Sequence, residues 1–133
     1  MQQNSQISRV RYDHKTLLSM RPMDLADWLT ENFTRELPQA ILSAEDMDNA
    51  SQLLLKLANT YSYLNSLLAY AKLAMRETKR NGSREAYEDM YDRKEAIQNT
   101  TESVKQQYAA VSRAVTIRME NNRELMMNAK GYI

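Results

Sequence analysis

From Ser43 to Asn81 the apolar residues recur at alternating steps of three and four: Met47, Ala50, Leu54, Leu57, Tyr61, Leu64, Leu68, Ala71 and Met75. That spacing keeps one helical stripe turned toward a partner and predicts a long helix over about residues 44–80. Ser43 stands where an N-cap belongs, with Asp46 three residues on in a capping-box arrangement. No Gly or Pro interrupts the run before Asn81-Gly82-Ser83. There Gly82 suits a left-handed C-cap, and Ser83 suits the N-cap of the next element. A second stripe runs through Met90, Ile97, Thr101, Val104, Tyr108, Val111, Val115, Met119 and Leu125 or Met126, with polar interruptions near Lys94 and Asn122. It predicts another long helix over about 84–128, with Gly131 just beyond. A short turn between two long helices makes them antiparallel neighbours.

Upstream, Leu25, Trp28, Leu29 and Phe33 fall on one face of a short amphipathic helix over about 23–34. Pro22 suits its first turn, Asp24 suits the positive end of its dipole, and Pro38 ends or kinks the segment. Residues 1–15 are polar, aperiodic and mildly basic through Arg9, Arg11 and Lys15, and read as a flexible arm. The predicted fold is all-α. Residues 16–133 form one helical domain, a long antiparallel αα-hairpin of coiled-coil type with the short helix at or near its open end.

The first long helix is too apolar for one partner. Beside its seam it carries Leu53, Leu55, Tyr63, Leu67, Tyr70 and Leu73. Leaving large apolar side chains in water forgoes roughly 1.5–3 kcal/mol each. Either the short helix covers part of this flank or copies of the chain associate. The expectation is a homo-oligomer, as a four-helix dimer or a ring.

Composition narrows the chemistry. The chain of 133 residues has 43% hydrophobic and 26% charged residues, ordinary globular usage for one domain. Gly 2 and Pro 2 are too few for the turns of an all-β fold. Cys 0 excludes disulfides, thiolate metal sites and cysteine nucleophiles, and His 1 leaves a single imidazole. That residue, His14 beside Asp13, reads as a solvated loop histidine, since no activated Ser or Cys motif completes a triad. Two glycines cannot build a phosphate loop. No apolar run approaches a membrane span, and the first residues lack the apolar stretch of a secretory signal, so the expected location is the cytoplasm. No catalytic residue, cofactor, metal or small-molecule substrate is expected.

The net charge is +1, so a nucleic acid would have to meet a local patch. Lys72, Arg76, Lys79, Arg80 and Arg84 cluster at the hairpin tip, with Glu77 and Glu85 as opposing charges. Tyr63 and Tyr70 lie one heptad apart on the same stripe as Lys56. Cations for phosphates and rings for bases are what a single strand requires. The same cations also satisfy the negative end of the helix dipole, and tyrosines beside a seam also serve as core. Glu85, Glu88, Asp89, Asp92 and Glu95 open the last helix, and Glu85-x-x-Glu88-Asp89 resembles a half-site of helical magnesium pyrophosphohydrolases. Such a site needs carboxylates from a facing helix, where the hairpin offers only Glu77. Arg118 is placed beside Glu45, Asp46 and Asp48 as ordinary inter-helix pairing.

The stretch from Leu53 to Leu125 resembles the small helical recombination mediators of T4-type phages, on its Lys72–Arg84 basic tip, the YEDMYDRK stretch of Tyr87–Lys94 and the long last helix. The resemblance implies a ring-forming oligomer that binds single-stranded DNA and helps to load a recombinase. It carries no run of identities, and the Trp28 segment has no counterpart in it. Another reading is a protein-binding adaptor or inhibitor that docks through Trp28, through Leu53, Leu67 and Leu73, or through Met126, without binding nucleic acid.

Overall fold

The computed structural model describes residues 12–33 and 44–129, with side chains for 12–33 and 48–128. Helices take up 93% of the described residues, and no strand occurs among them. In chain order they are α1 (His14–Leu18), α2 (Pro22–Phe33), α3 (Ala44–Asn81) and α4 (Arg84–Ala129). The expectations for the arm before residue 12, for Pro38, for the Ser43–Asp46 cap and for the Met47, Glu45 and Asp46 side chains lie outside the described residues.

Helices α3 and α4, of 38 and 46 residues, pack against each other as the two arms of the hairpin. At the turn the Gly82 amide donates to the Thr78 carbonyl at 2.9 Å, carrying the helical ladder one residue past Asn81. The Ser83 hydroxyl accepts from the Ala86 amide at 3.1 Å, the expected N-cap. Gly82 does not take the expected left-handed conformation. Glycine is needed there because an added Cβ would lie 2.9 Å from the Thr78 carbonyl oxygen.

The seam of α3 closes as its spacing predicts. Ala50, Leu57, Leu64, Leu68 and Ala71 are buried, and Leu54, Tyr61 and Met75 are half-buried. Across from it Met90, Ile97, Thr101, Val104 and Val111 are buried. The Thr100 and Thr101 hydroxyls donate to the Ala96 and Ile97 carbonyls one turn back, so both polar groups are satisfied within α4. Three predicted seam positions on α4 differ. Tyr108 is 40% exposed and Gln107 is buried in its place, while Met119 and both candidates for the last position, Leu125 and Met126, are 59%, 65% and 60% exposed. At Tyr108 the reason is a second neighbour. The Gln107 amide donates to the Phe33 carbonyl of α2 at 3.5 Å, so α4 turns its interior face toward two helices.

That neighbour does not sit at the open end. Arg93 Nε donates to the Met20 carbonyl at 2.7 Å, just before α2, and Gln107 reaches Phe33 at its end. Helix α2 therefore runs parallel to α4 beside residues 93–107, in the half nearer the turn. Leu25, Trp28, Leu29 and Phe33 enter the hairpin core with Leu64 and Leu67, burial an end-on position would not supply. Buried Asn32 donates to the Trp28 carbonyl at 2.8 Å. Trp28 Nε1 is buried without a hydrogen-bond partner among the described residues.

The boundary of the flexible arm also shifts. Asp13 caps α1, its carboxylate accepting from the Thr16 amide at 2.7 Å, and Leu17 is fully buried. Helix α1 lies against α3. The Thr16 hydrogen bonds hold the Asp13 carboxyl below its ordinary 3.8. His14 is accordingly no solvated loop residue. It is half-buried, its ring 4.3 Å from Tyr70 and 6.2 Å from Tyr63.

Candidate nucleic-acid interface

The turn sets two helix ends side by side. Lys72, Arg76, Lys79, Arg80 and Arg84 are all exposed. Arg84 is paired, its Nε 3.1 Å from Glu88. Glu77 accepts from the Asn81 side-chain Nδ2 at 2.7 Å within its own helix. Among the described residues no carboxylate lies within ion-pair distance of Lys72, Arg76, Lys79 or Arg80. Four cations thus stand unneutralised over the last three turns of α3, where the helix dipole also favours them.

The aromatic half of the expected site lies elsewhere. At about 100° per residue, Lys72, Arg76 and Lys79 lie roughly 120–180° around α3 from the Lys56, Tyr63, Tyr70 stripe. The tyrosine stripe faces α1 and α2. Tyr63 is half-buried, its ring 6.2 Å from Phe33, and its hydroxyl donates to the Tyr12 carbonyl at 2.7 Å. Tyr70 is 53% exposed, but His14 sits against it. Tyr63 is therefore corrected from a base-stacking ring to part of an internal cluster. In that cluster Trp28 meets Phe33 edge-on at 5.3 Å and Tyr12 at 5.5 Å.

The proposed protein-docking residues separate in the same way. Trp28 is buried and Leu67 fully so, and Leu53 is half-buried against the core, so these three are spent internally. Leu73 and Met126 remain 58% and 60% exposed.

The acidic start of α4 does meet facing carboxylates, from α2 rather than α3. Asp89 and Asp92 line a cleft of about 520 Å³ with Asp24 and Asp27, where Arg21 pairs with Asp24 at 3.0 Å. Among the described residues no three acidic or histidine side chains are placed to hold a metal ion. Lys94, one of the polar interruptions in the α4 stripe, is held by Glu95 at 2.7 Å and lies 4.7 Å from the Tyr91 ring centre. The Glu95 hydrogen bond keeps its ammonium above the ordinary 10.5. Arg118 Nε is buried without a hydrogen-bond partner among the described residues.

Sequence reasoning missed the Tyr12–His14 segment. Its available signal was Asp13, three residues before Thr16 and four before Leu17, a capping residue ahead of an apolar pair. No helix among the described residues is long and apolar enough to cross a membrane. Comparison with protein-family models, curated proteins and solved structures finds no match.

Proposed function

We propose that the protein is a non-enzymatic, oligomeric accessory that binds single-stranded nucleic acid through the turn end of its hairpin. The observation that carries this reading is the group of four exposed cations, Lys72, Arg76, Lys79 and Arg80, that have no ion-pair partner among the described residues, on a chain of net charge +1. With Tyr63 committed inside, the contact is mainly to phosphates, and base identity matters little. A cytoplasmic role in phage-type recombination or replication, beside a recombinase, follows from the resemblance of the Lys72–Arg84 tip and what succeeds it. Exposed Leu73 and Met126 favour a second reading, a protein adaptor that ignores nucleic acid.

Fluorescence anisotropy with labelled single- and double-stranded oligonucleotides across a salt series tests this. Four cations on four phosphates give a log–log salt slope of about −3 on single strands, at roughly 0.7 per phosphate. Charge reversal at Arg76 and Arg80, or at Lys72 and Lys79, should lower the slope by about 1.4 with helical content unchanged. Binding unaltered by both reversals removes the tip as the site. No binding at low salt leaves the adaptor reading.

A further inference from the structure

The outward face of α3 carries a second 3-4 repeat that the core does not use. Asp48, Gln52, Leu55, Asn59 and Ser62, then Ser66, Ala69, Leu73, Arg76 and Arg80, follow one another by alternating steps of four and three, and every one is exposed. Leu55 and Leu73 are 65% and 58% exposed, and both lie on this stripe. Between Lys56 and Lys72 the helix has no charged residue, although an exposed surface ordinarily carries about 25–35% charged side chains. The stripe is also symmetric about Leu64. Ser62 and Ser66 stand equally far from it, as do Asn59 and Ala69, Leu55 and Leu73, Gln52 and Arg76, and Asp48 and Arg80.

We propose that this face docks a second copy of the chain, α3 against α3 antiparallel, about a two-fold axis beside Leu64. A two-fold contact is isologous, so every pair occurs twice. The observed symmetry is the one such a contact requires. Leu55 of one copy meets Leu73 of the other. The small Ser62, Ser66 and Ala69 let the backbones approach closely at the centre. The acidic and basic ends cross, setting Asp48 against Arg80 of the second copy, which suits a second copy better than an unrelated partner. Neither α1 nor α2 obstructs the face, since both lie toward Tyr63 and Leu67 on the other flank of α3.

The dimer rests on the oligomeric part of the function proposed above and not on nucleic-acid binding. It draws Arg80 toward Asp48, so the single-strand salt slope expected of one tip in the dimer is about −2 rather than −3, and it leaves Lys72 and Lys79, on the flank, for phosphates. Reversal at Lys72 and Lys79 therefore reads nucleic-acid binding without touching the interface.

Light scattering and sedimentation equilibrium on the full chain test the contact. The expected mass is twice the 15.5 kDa of one chain. Ser62→Glu with Ser66→Glu, both exposed, should return a single-chain mass with helical circular dichroism unchanged. Asp48→Arg should loosen the dimer about ten-fold, and Asp48→Arg with Arg80→Asp should restore it. Because the chain has Cys 0, Ser62→Cys with Ser66→Cys should give a covalent dimer on mild oxidation, while Ser62→Cys alone should not. A monomeric parent chain, or a mass unchanged by the paired glutamates, overturns the proposal even if the tip binds nucleic acid.

Discussion

The phenol of Tyr63 donates a 2.7 Å hydrogen bond to the backbone carbonyl of Tyr12, a contact across 51 residues that ties the start of α1 to the middle of α3. Removing the hydroxyl leaves the ring contacts with Phe33 and His14 in place. The bond is exposed, so the freed carbonyl can take a water. Tyr63→Phe should therefore cost about 0.5–1 kcal/mol in urea unfolding. It should also increase proteolysis near residues 12–20 and change Trp28 fluorescence, with little loss of helix. A loss above about 2 kcal/mol would mean that the hydroxyl does more than hold Tyr12.

Leu67 and Trp28 separate core from surface. Leu67→Ala should cost about 2–5 kcal/mol and Trp28→Ala about 3–5 kcal/mol, as large-to-small changes in a packed interior do. Met126→Ala, at a 60% exposed position, should stay within about 0.5 kcal/mol. Small effects at all three positions in thermal or urea melts would contradict the wrapping of α1 and α2 over the hairpin.

Gly82→Ala probes the turn. The new Cβ would meet the Thr78 carbonyl oxygen at 2.9 Å, and the acceptor is backbone. The helix end must shift, and the expected loss is about 1 kcal/mol or more. Were the residue in the left-handed region, Asn would be a tolerated replacement. Here Gly82→Asn should be as costly as Gly82→Ala, and a clear preference for Asn in thermal melts would refute the contact explanation.

Acid should release α1. The folded-state pKa of Asp13 is depressed by its hydrogen bonds with Thr16, so its capping contribution is complete above the ordinary 3.8 and is lost as pH falls through the lower folded value. Tyr12–Trp28 contact, followed by tryptophan fluorescence, should report that loss below about pH 3.8. Asp13→Asn keeps an acceptor for the cap but cannot titrate, so this part of the transition should vanish. An unchanged acid profile in Asp13→Asn would place the titration elsewhere.

The hairpin was legible because its signal is local. A 3-4 stripe from Met47 to Met75 specifies one face of the 38-residue α3 without knowledge of its partner. The companion stripe on α4 went wrong at Tyr108, because Gln107 is drawn inward by the Phe33 carbonyl, a contact 74 residues distant in sequence. The same kind of distance hid the placement of α2, which depends on Arg93 reaching Met20 across 73 residues. Of the candidate site, the basic cluster could be read from residue order, and its exposure follows from being off the seam. The fate of Tyr63 could not. Its stripe looks outward on α3 alone and becomes interior only when α1 and α2 arrive.

Those separations also order events during synthesis. Helices α1 and α2 leave the ribosome before the surfaces that hold them, around Tyr63, Arg93 and Gln107. A 12-residue α2 is too short to persist alone in water. The hairpin closes from contacts that begin next to its turn, and such low-contact-order structure forms fast. Helices α1 and α2 therefore wait as unstructured chain until α3 and the first half of α4 have emerged. Trp28, Leu25 and Leu29 are exposed throughout that interval, which makes the nascent α1–α2 segment a stretch in need of a chaperone.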